Sequence, residues 1–343
     1  MTVTVTQPTI NVREELADLR KPSGIAGEAM LRAETPQEQF QLIGAGRRNI
    51  LINGDFRISQ RGSYTTATSI SSETYALDRW ANYLSGVGAT FQQKDATING
   101  VARKCLRMAA TSSASGYFGP IQKVELTNIP VGSMVTMSGY VRTNISNVYF
   151  RHDHVGGVTG IQAPNAITAD ENWQYITWTI DTKGTTTNPI FQVLAYNYGN
   201  IAVTSGDYIE IADMQLELGK VATPFEHRSY GEELALCQRY YEKWSGVGHY
   251  GAGFFETTGH GKYFLPYKQV KRATPTISIG ASASDWVAYW TGTSASATST
   301  GSQNISAEAA MVWVNGGGYG TDGYATTLLG NTSNAFIEID AEL

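Results

Sequence analysis

Two tryptophans in the segment DWVAYW have the residue type and the spacing of a carbohydrate-binding surface. On a β-strand Trp286 and Trp290 would face the same way, about 13 Å apart at ~3.3 Å per residue. A flat indole matches the apolar face of a sugar ring and needs few charges to bind it. Tyr319 and Tyr324 flank a nearby glycine loop and complete the predicted glycan-binding set. The alternative is that such rings fill the core of a small β-sandwich.

Two other groupings contain residue types used in metal binding or hydrolysis. Residues 152–154, His-Asp-His, would place two imidazoles on one strand face, where a symmetric trimer could gather metal ligands; histidines at a core edge are the alternative. The adjacent carboxylates at 170–171 and at 232–233 supply the two acidic side chains that a glycosidase uses. The first pair is typical of a turn, and the second of a helix start, where acids favour the dipole. The sequence therefore predicts a binding protein and no enzyme.

Composition and charge exclude several classes of protein. The 343 residues include 25 Lys and Arg against 30 Asp and Glu, for a formal net charge of −5. Six acidic residues and no Lys or Arg follow Arg272, so no segment has the concentrated positive charge that nucleic acid binding requires. The first residues lack a signal-peptide pattern, and no uncharged apolar run approaches the ~18 residues that span a bilayer, so membrane insertion is not expected. Cys105 and Cys237 alone build neither a disulfide framework nor a thiolate zinc site.

The spacing of apolar residues predicts a mainly β fold. Over residues 49–228, short apolar stretches alternate with Gly, Asn, Ser and Pro, which favours an antiparallel sandwich over βαβ units. Period-two alternation is clearest at 135–142 and 175–180. A second sandwich is predicted over 245–343, and its closing strand alternates Ile337, Ile339 and Ala341 with acidic residues.

Helical segments are predicted at two places. A capping box at Ser229 begins an amphipathic stretch that predicts a connecting helix over 229–244. Residues 1–48 contain two short helix signals and too few large apolar side chains for a core of their own. We therefore expect residues 1–48 to be a short N-terminal anchor that docks on something else.

Three stretches of the sequence resemble a known family. GRRNILINGDFRISQRG, YALDRW and ADMQLELGKVATPFEHRSYGEELALCQRYYEKW are similar to bacteriophage tail fibre and tail-tip receptor-binding proteins, over about residues 45–245 and again at the closing IEIDAEL. The resemblance implies a homotrimer in the phage tail, assembled in the bacterial cytoplasm, that recognises the bacterial surface.

The central part also resembles jelly-roll carbohydrate-binding modules. NGDF lies near its first strand, CLRM before a middle strand and DYIEIADMQLE near its last. Such modules often hold a structural calcium with acids from the first and last strands, which corresponds here to Asp55 and Asp213. The alternative is that Asp55 closes a turn and Asp213 caps a strand pair. No other cofactor is implied.

Together these observations predict a modular virion protein. Residues 1–48 would attach to phage tail or baseplate proteins, 49–228 would form a jelly-roll sandwich, 229–244 the helix, and 245–343 a distal sandwich that binds bacterial surface glycan. The acidic distal part is expected to bind neutral sugars by stacking and hydrogen bonds, or basic and metal-bridged surfaces by charge, and to repel anionic polysaccharide unless calcium mediates. The alternative is a structural adaptor, or a neck or baseplate connector without receptor binding; a glycan-degrading tailspike is a third interpretation.

Overall fold

Antiparallel β-sheets make up most of the structure. The computed structural model describes residues 48–130, 132–154, 161–182, 189–195, 201–280, 282–316 and 320–343. These ranges form two β-sandwiches with an α-helix between them in the chain, so the predicted fold class is confirmed. The predicted anchor, with its two short helices, lies outside the described residues except for Arg48.

The first sandwich consists of two sheets. Its described strands are β1 (Thr68–Ile70), β2 (Ala81–Ser85), β3 (Ala89–Ile98), β4 (Val101–Ala110), β5 (Ala114–Lys123), β6 (Met134–Thr143), β7 (Val148–His154), β8 (Ile161–Gln162), β9 (Gln174–Asp181), β10 (Pro189–Ala195), β11 (Ile201–Val203) and β12 (Tyr208–Leu218). One sheet has the order β1-β3-β4-β12-β6-β9, and the other has the order β11-β5-β10-β7-β8, with β2 also paired to β5. A single 3-10 turn, Leu126–Asn128, lies between β5 and β6 in the described chain.

Alternating side chains from the two sheets meet in the first core. Val135, Met137 and Val141 of β6 are fully buried there, as their period-two spacing predicts. Gly54 precedes the first strand, where its carbonyl accepts a 2.9 Å hydrogen bond from the Met214 amide of β12. A Cβ at position 54 would overlap the Met214 carbonyl oxygen, so only glycine permits this approach.

The second sandwich pairs a small sheet with a large one. Its described strands are β13 (Tyr241–Ser245), β14 (Gly248–Thr257), β15 (His260–Pro266), β16 (Thr276–Gly280), β17 (Trp286–Trp290), β18 (Thr293–Ser296), β19 (Ser299–Gln303), β20 (Ala309–Asn315), β21 (Ala325–Gly330) and β22 (Phe336–Asp340), with a 3-10 turn at Ala283–Asp285. The small sheet has the order β13-β22-β16, and the seven-stranded sheet has the order β18-β17-β21-β14-β15-β20-β19. Their facing side chains, including Ile337 and Ile339 of β22, form the second core.

The connecting helix is shorter than predicted. Helix α1 spans Tyr230–Gln238, and the Ser229 hydroxyl accepts a 3.3 Å hydrogen bond from the Glu232 amide, so the predicted start is confirmed. The predicted end at residue 244 is wrong, because Tyr241–Ser245 forms β13 and pairs along its whole length with β22. Pairing with a distant strand overrides the helical spacing of this segment. No helix in the described ranges is long and apolar enough to cross a membrane.

The acidic residues of the closing strand do not form the negatively charged, solvent-facing surface that the sequence predicts. Its carboxylates pair with cations from earlier in the chain: Glu338 with Lys243, Asp340 with Arg61, and Glu342 with Arg79. Asp285 is also buried, where it closes the turn before β17. Because these carboxylates are paired or buried, the second sandwich exposes much less negative charge than its composition indicates.

Candidate functional site

The two tryptophans predicted to bind glycan lie in the second core. Trp286 is 0% exposed and Trp290 is 9% exposed, and both project from the inner face of β17. Trp286 meets Tyr250 edge to face at a centroid distance of 4.9 Å, and Trp290 meets Phe255 at 5.1 Å. The prediction of an exposed tryptophan pair is therefore wrong, because the space between a seven-stranded and a three-stranded sheet requires large rings to fill it.

The two predicted tyrosines have different outcomes. Tyr319 lies outside the described residues. Tyr324 is 53% exposed in the turn before β21, and its carbonyl accepts a hydrogen bond from the Phe255 amide. A role for Tyr324 in glycan binding stays a prediction.

The described residues do not fit the calcium site implied by the resemblance. Met214 bonds to Gly54, so the segments that contain Asp55 and Asp213 are neighbours, as that implication requires. The Asp55 carboxylate, however, pairs with Arg57, and the Asp213 carboxylate pairs with Arg103. Guanidinium groups thus hold the oxygens that calcium would need. Among the described residues, no group of three or more His, Cys, Asp or Glu side chains is arranged to hold a metal.

The histidine and glutamate that the sequence suggested for metal binding or hydrolysis make contacts within the fold. His152 is 1% exposed and packs against Phe191 at a centroid distance of 5.0 Å, as expected for a core-edge histidine; the side chain at position 154 is not described. Glu233 accepts from the Asn53 amide and pairs with Arg228 at 3.2 Å. Burial raises the pKa of Glu233, and these partners oppose the effect. Its contacts join α1 to the first sandwich.

A different surface combines an aromatic ring with polar groups: the outer face of β15, β20 and β19. The cross-strand register places nine residues there in three rows, which we call the Trp313 surface: His260, Asn315 and Ser299; Lys262, Trp313 and Gly301; Phe264, Met311 and Gln303. The alternate residues of β20, Ala310, Val312 and Val314, are buried in the second core. Strand alternation therefore turns Trp313 away from that core.

Trp313 is held flat by a glycine. A Cβ at position 301 would overlap the six-membered ring of Trp313, so the indole lies directly over the Gly301 backbone. The His260 imidazole is nearly parallel to the indole, at 24° with centroids 5.7 Å apart. Trp313 remains half-buried in this position. The arrangement gives a fixed ring platform at the middle of the surface.

Hydrogen-bonding groups form the row beside this platform. The Asn315 amide bonds to the His260 Nδ1 through its oxygen and donates to the Ser299 hydroxyl at 3.1 Å through its nitrogen. Glu256 pairs with Lys262 and lies 3.6 Å from the His260 Nε2. These contacts fix the positions of donors and acceptors next to an aromatic ring, which is the combination that a sugar requires.

The opposite row is mainly apolar and contains one exposed ring. Phe264 is 58% exposed and lies across from Met311, while Phe254 on the neighbouring strand is 45% exposed. Gln303 donates to the Met311 sulfur at 3.4 Å. The surface therefore changes from polar to mainly apolar along the strands, from the first row to the third.

A second aromatic surface lies on the first sandwich. Tyr83 of β2 and Tyr117 of β5 stack at 5.0 Å and 28°, with their hydroxyls 3.4 Å apart. Their hydrogen bond raises the pKa of Tyr83. Arg151 pairs with Asp153 at 3.1 Å on β7, and Asp153 lies near enough to Tyr83 to add to that effect. This face is a second candidate for binding a polar ligand.

Sequence reasoning missed Trp313, although a signal was present. In AAMVWVN the residues at 310, 312 and 314 are small or β-branched apolar residues typical of a core face, so Trp313 belongs to the other face. In DWVAYW both faces of the strand are apolar, and the pattern does not choose between them. Gly301 carries no such signal, because its position beneath the ring depends on the β19 to β20 register.

Comparisons with known proteins gave structural similarities only. No family model and no curated protein matched the sequence. The tandem CBM22-1–CBM22-2 domain of Paenibacillus barcinonensis Xyn10C has a TM-score of 0.32 at 12% identity, covering 82% of this chain and 99% of that one. TmCBM61 in complex with β-1,4-galactotriose has a TM-score of 0.29 at 17% identity, covering 50% of this chain and 100% of that one.

A phage protein is also among the similar structures. The enzymatically active domain of bacteriophage CBA120 tailspike protein 4 has a TM-score of 0.31 at 9% identity, covering 50% of this chain. The chain spans 21% of the length of that structure. All three scores lie below 0.5, so the function proposed below depends on the contacts within this chain.

Proposed function

We propose that the protein is a non-enzymatic glycan-binding protein whose saccharide site is the Trp313 surface. The observation that carries this proposal is the indole of Trp313, which lies flat over Gly301 with the hydrogen-bonded His260 and Asn315 beside it. A sugar ring would stack on the indole through its C–H face and direct its hydroxyls at the polar row.

The electrostatics of this surface favour a neutral sugar. Lys262 and Glu256 neutralise each other, and the carboxylates of the closing strand are paired at the other sheet. Sugar hydroxyl groups would add to the hydrogen bonds that Asn315, Ser299 and Gln303 already make, in place of water. A single site of this kind commonly binds near millimolar, about −4 kcal/mol.

The proposed setting is a bacteriophage tail fibre. The resemblance of the quoted motifs to tail fibre and tail-tip proteins supports this setting, together with attachment through residues 1–48 and a homotrimeric state. The target would be a glycan on the bacterial surface. Linked weak sites act through effective concentration, which multiplies binding by roughly 10² to 10⁴ where the geometry allows simultaneous contact.

Substituting Trp313 tests the saccharide site. We expect Trp313→Ala to weaken binding to neutral bacterial oligosaccharides on a glycan array by about tenfold, which equals about 1.4 kcal/mol, and Trp313→Phe to retain part of it. The matched control is Tyr289→Ala, an exposed ring at the other end of the same sheet. Unchanged binding by Trp313→Ala would move the site elsewhere, and loss in Tyr83→Ala would identify the surface of the first sandwich.

Deleting residues 1–48 tests the tail setting. The truncated protein should fail to enter virions but should still bind host cells and block infection as free protein. A truncated protein that ignores host cells would favour the connector. Release of oligosaccharides from a bacterial polysaccharide would overturn the non-enzymatic assignment.

Exposed phenylalanines favour a second candidate function, a structural connector. Phe254 and Phe264 present apolar surface on one side of the sheet, as protein interfaces do. If this surface joins virion parts, Phe264→Ser should prevent assembly while glycan binding is absent in the wild-type protein. If the glycan proposal holds, Phe264→Ser should leave assembly intact.

A further inference from the structure

The outer face of β3, β4, β12 and β6 carries a cluster of cations around one buried carboxylate. Glu210 of β12 has a side chain with 0% exposure. Its oxygens accept from Lys94 at 3.0 Å, from Arg107 at 2.8 Å, and from the Arg142 Nε at 2.7 Å. Three cations therefore surround a single negative charge, and the cluster has a local excess of positive charge within a chain that is acidic overall.

The three cations of the cluster lie nearer the protein surface than the carboxylate does. The Lys94, Arg107 and Arg142 side chains are 32%, 25% and 30% exposed, whereas the carboxylate lies beneath them. Surrounding cations favour the charged form and lower the pKa of Glu210, although burial opposes this effect. An incoming anion would therefore meet cations first.

Aromatic rings hold two of these cations in place. The Arg107 guanidinium lies 3.9 Å from the ring centroid of Tyr208, and the Arg142 guanidinium lies 5.0 Å from that of Trp173. Fixed guanidinium groups lose little entropy when they bind a planar carboxylate or a phosphate. The exposed Tyr175 on β9 adds a ring on the same outer face, next to Tyr140 at 5.1 Å.

A second acid beside the cluster does not cancel the excess. Glu171 accepts from the Tyr208 hydroxyl at 3.3 Å and lies at the edge of the cluster. Asp213 on the same face is already paired with Arg103. Counting Lys94, Arg107 and Arg142 against Glu210 and Glu171 leaves a positive balance.

We propose that this cluster binds the anionic group, a carboxylate or a phosphate, of an acidic saccharide. Lys94, Arg107 and Arg142 would hold the anionic group, and Trp173 and Tyr175 would flank the sugar. The proposal goes beyond the Trp313 surface and does not depend on it, since the two surfaces lie on different sandwiches. The expected repulsion of anionic polysaccharide concerned the acidic distal part of the chain, whereas this cluster lies on the first sandwich.

Calorimetric titration at low salt tests the proposal with defined probes. Trigalacturonate represents a sugar carboxylate and glucose 6-phosphate a sugar phosphate; maltotriose and glucose are their neutral counterparts. We expect at least one acidic probe to bind, and its affinity to fall by about tenfold in Arg142→Gln. Raising the salt concentration to 0.5 M should weaken this binding, because charge screening acts on it directly.

Two further variants keep the test interpretable. Lys94→Gln removes a cation while both arginines still hold Glu210, so it covers the case in which Arg142→Gln fails to fold. The matched control is Lys104→Gln, which makes the same charge change on the opposite face of the β3 and β4 pair. Equal losses in Lys94→Gln and Lys104→Gln, or no binding of either acidic probe by the wild-type protein, would overturn the proposal.

Discussion

The Arg79 guanidinium is paired with the carboxylate of Glu342, which lies 263 positions further along the chain. Both side chains are buried, at 1% and 5% exposure. Arg79 also lies 3.6 Å from the ring centroid of Tyr240 and donates to the Lys123 carbonyl. One cation thus contacts the first sandwich, the residues after α1 and the end of the chain, so buried charge fixes the junction of the two sandwiches.

Removing this cation should destabilise the protein strongly. Arg79→Met leaves the buried Glu342 carboxylate with the Arg61 guanidinium, 3.4 Å away, as its remaining cation, and losing one partner of a buried pair commonly costs about 3 to 5 kcal/mol. The free energy of unfolding in urea measures this cost. Lys104→Gln is the control, since it breaks an exposed pair with Asp95 and should cost at most about 1 kcal/mol. Equal costs for the two variants would contradict a buried junction.

A second prediction concerns the dependence of stability on pH. Burial raises the pKa of Asp78 to about 6, although hydrogen bonds from Gln60 and the charge of Arg61 oppose the rise. The folded state therefore binds a proton that the unfolded chain releases near pH 4. This contribution to stability is complete below about pH 4 and is lost as the pH rises through 6; its size is roughly 3 kcal/mol.

Asp78→Asn isolates this effect, because the amide does not titrate. Relative to the wild type, the variant should gain stability as the pH rises from 4 to 7, whatever constant offset its altered hydrogen bonds to Gln60 produce. Urea unfolding of both proteins at several pH values measures the difference. A difference that stays constant with pH would show that Asp78 titrates normally.

The motifs behind the family resemblance meet at this junction. Asn53 of NGDF donates to the Asp78 carbonyl of YALDRW at 3.0 Å, and the Trp80 indole donates to the Asn53 carbonyl at 2.9 Å. The Asn53 amide in turn bonds to Glu233 of α1. These residues satisfy one another's buried polar groups, so replacing one of them would leave another without its partner. Sequence reasoning recognised the motifs, but their mutual contacts are tertiary and carry no periodic signal.

The sequence predicted elements where one face is clearly apolar. Residues 135–141 and the closing strand belong to this class, and their buried faces are as expected. The prediction was wrong for the strand of Trp286 and Trp290, where both faces are apolar. It was also wrong for Tyr241–Ser245, because pairing with a strand distant in sequence determines the secondary structure there. The sequence also overstated the negative surface charge of the last part of the chain, because the cations that pair with its carboxylates lie up to 279 positions away.

A third prediction concerns the two thiols. Burial raises the pKa of Cys105 to about 12 and that of Cys237 well above its ordinary value. Both side chains are buried, at 1% and 0% exposure. We expect neither thiol to react with a disulfide reagent at pH 8 in the folded protein, and both to react after unfolding. Rapid reaction of Cys237 in the folded protein would show that the packing around α1 opens readily.

The last prediction tests the glycine beneath the Trp313 platform. Gly301→Ala adds a methyl group where the six-membered ring of Trp313 lies, and the ring must move because the strand backbone beneath it is paired on β20. The clash is with a side chain at the surface, so the free energy of unfolding should change by no more than about 1 kcal/mol. Glycan binding should fall by about tenfold, as in Trp313→Ala, and the tryptophan emission of the folded protein should shift toward that of a more solvated ring. Ser302→Ala, the next residue on the same strand, is the matched control and should bind normally. If Gly301→Ala binds glycan as the wild-type protein does, the flat position of the Trp313 ring has no part in recognition.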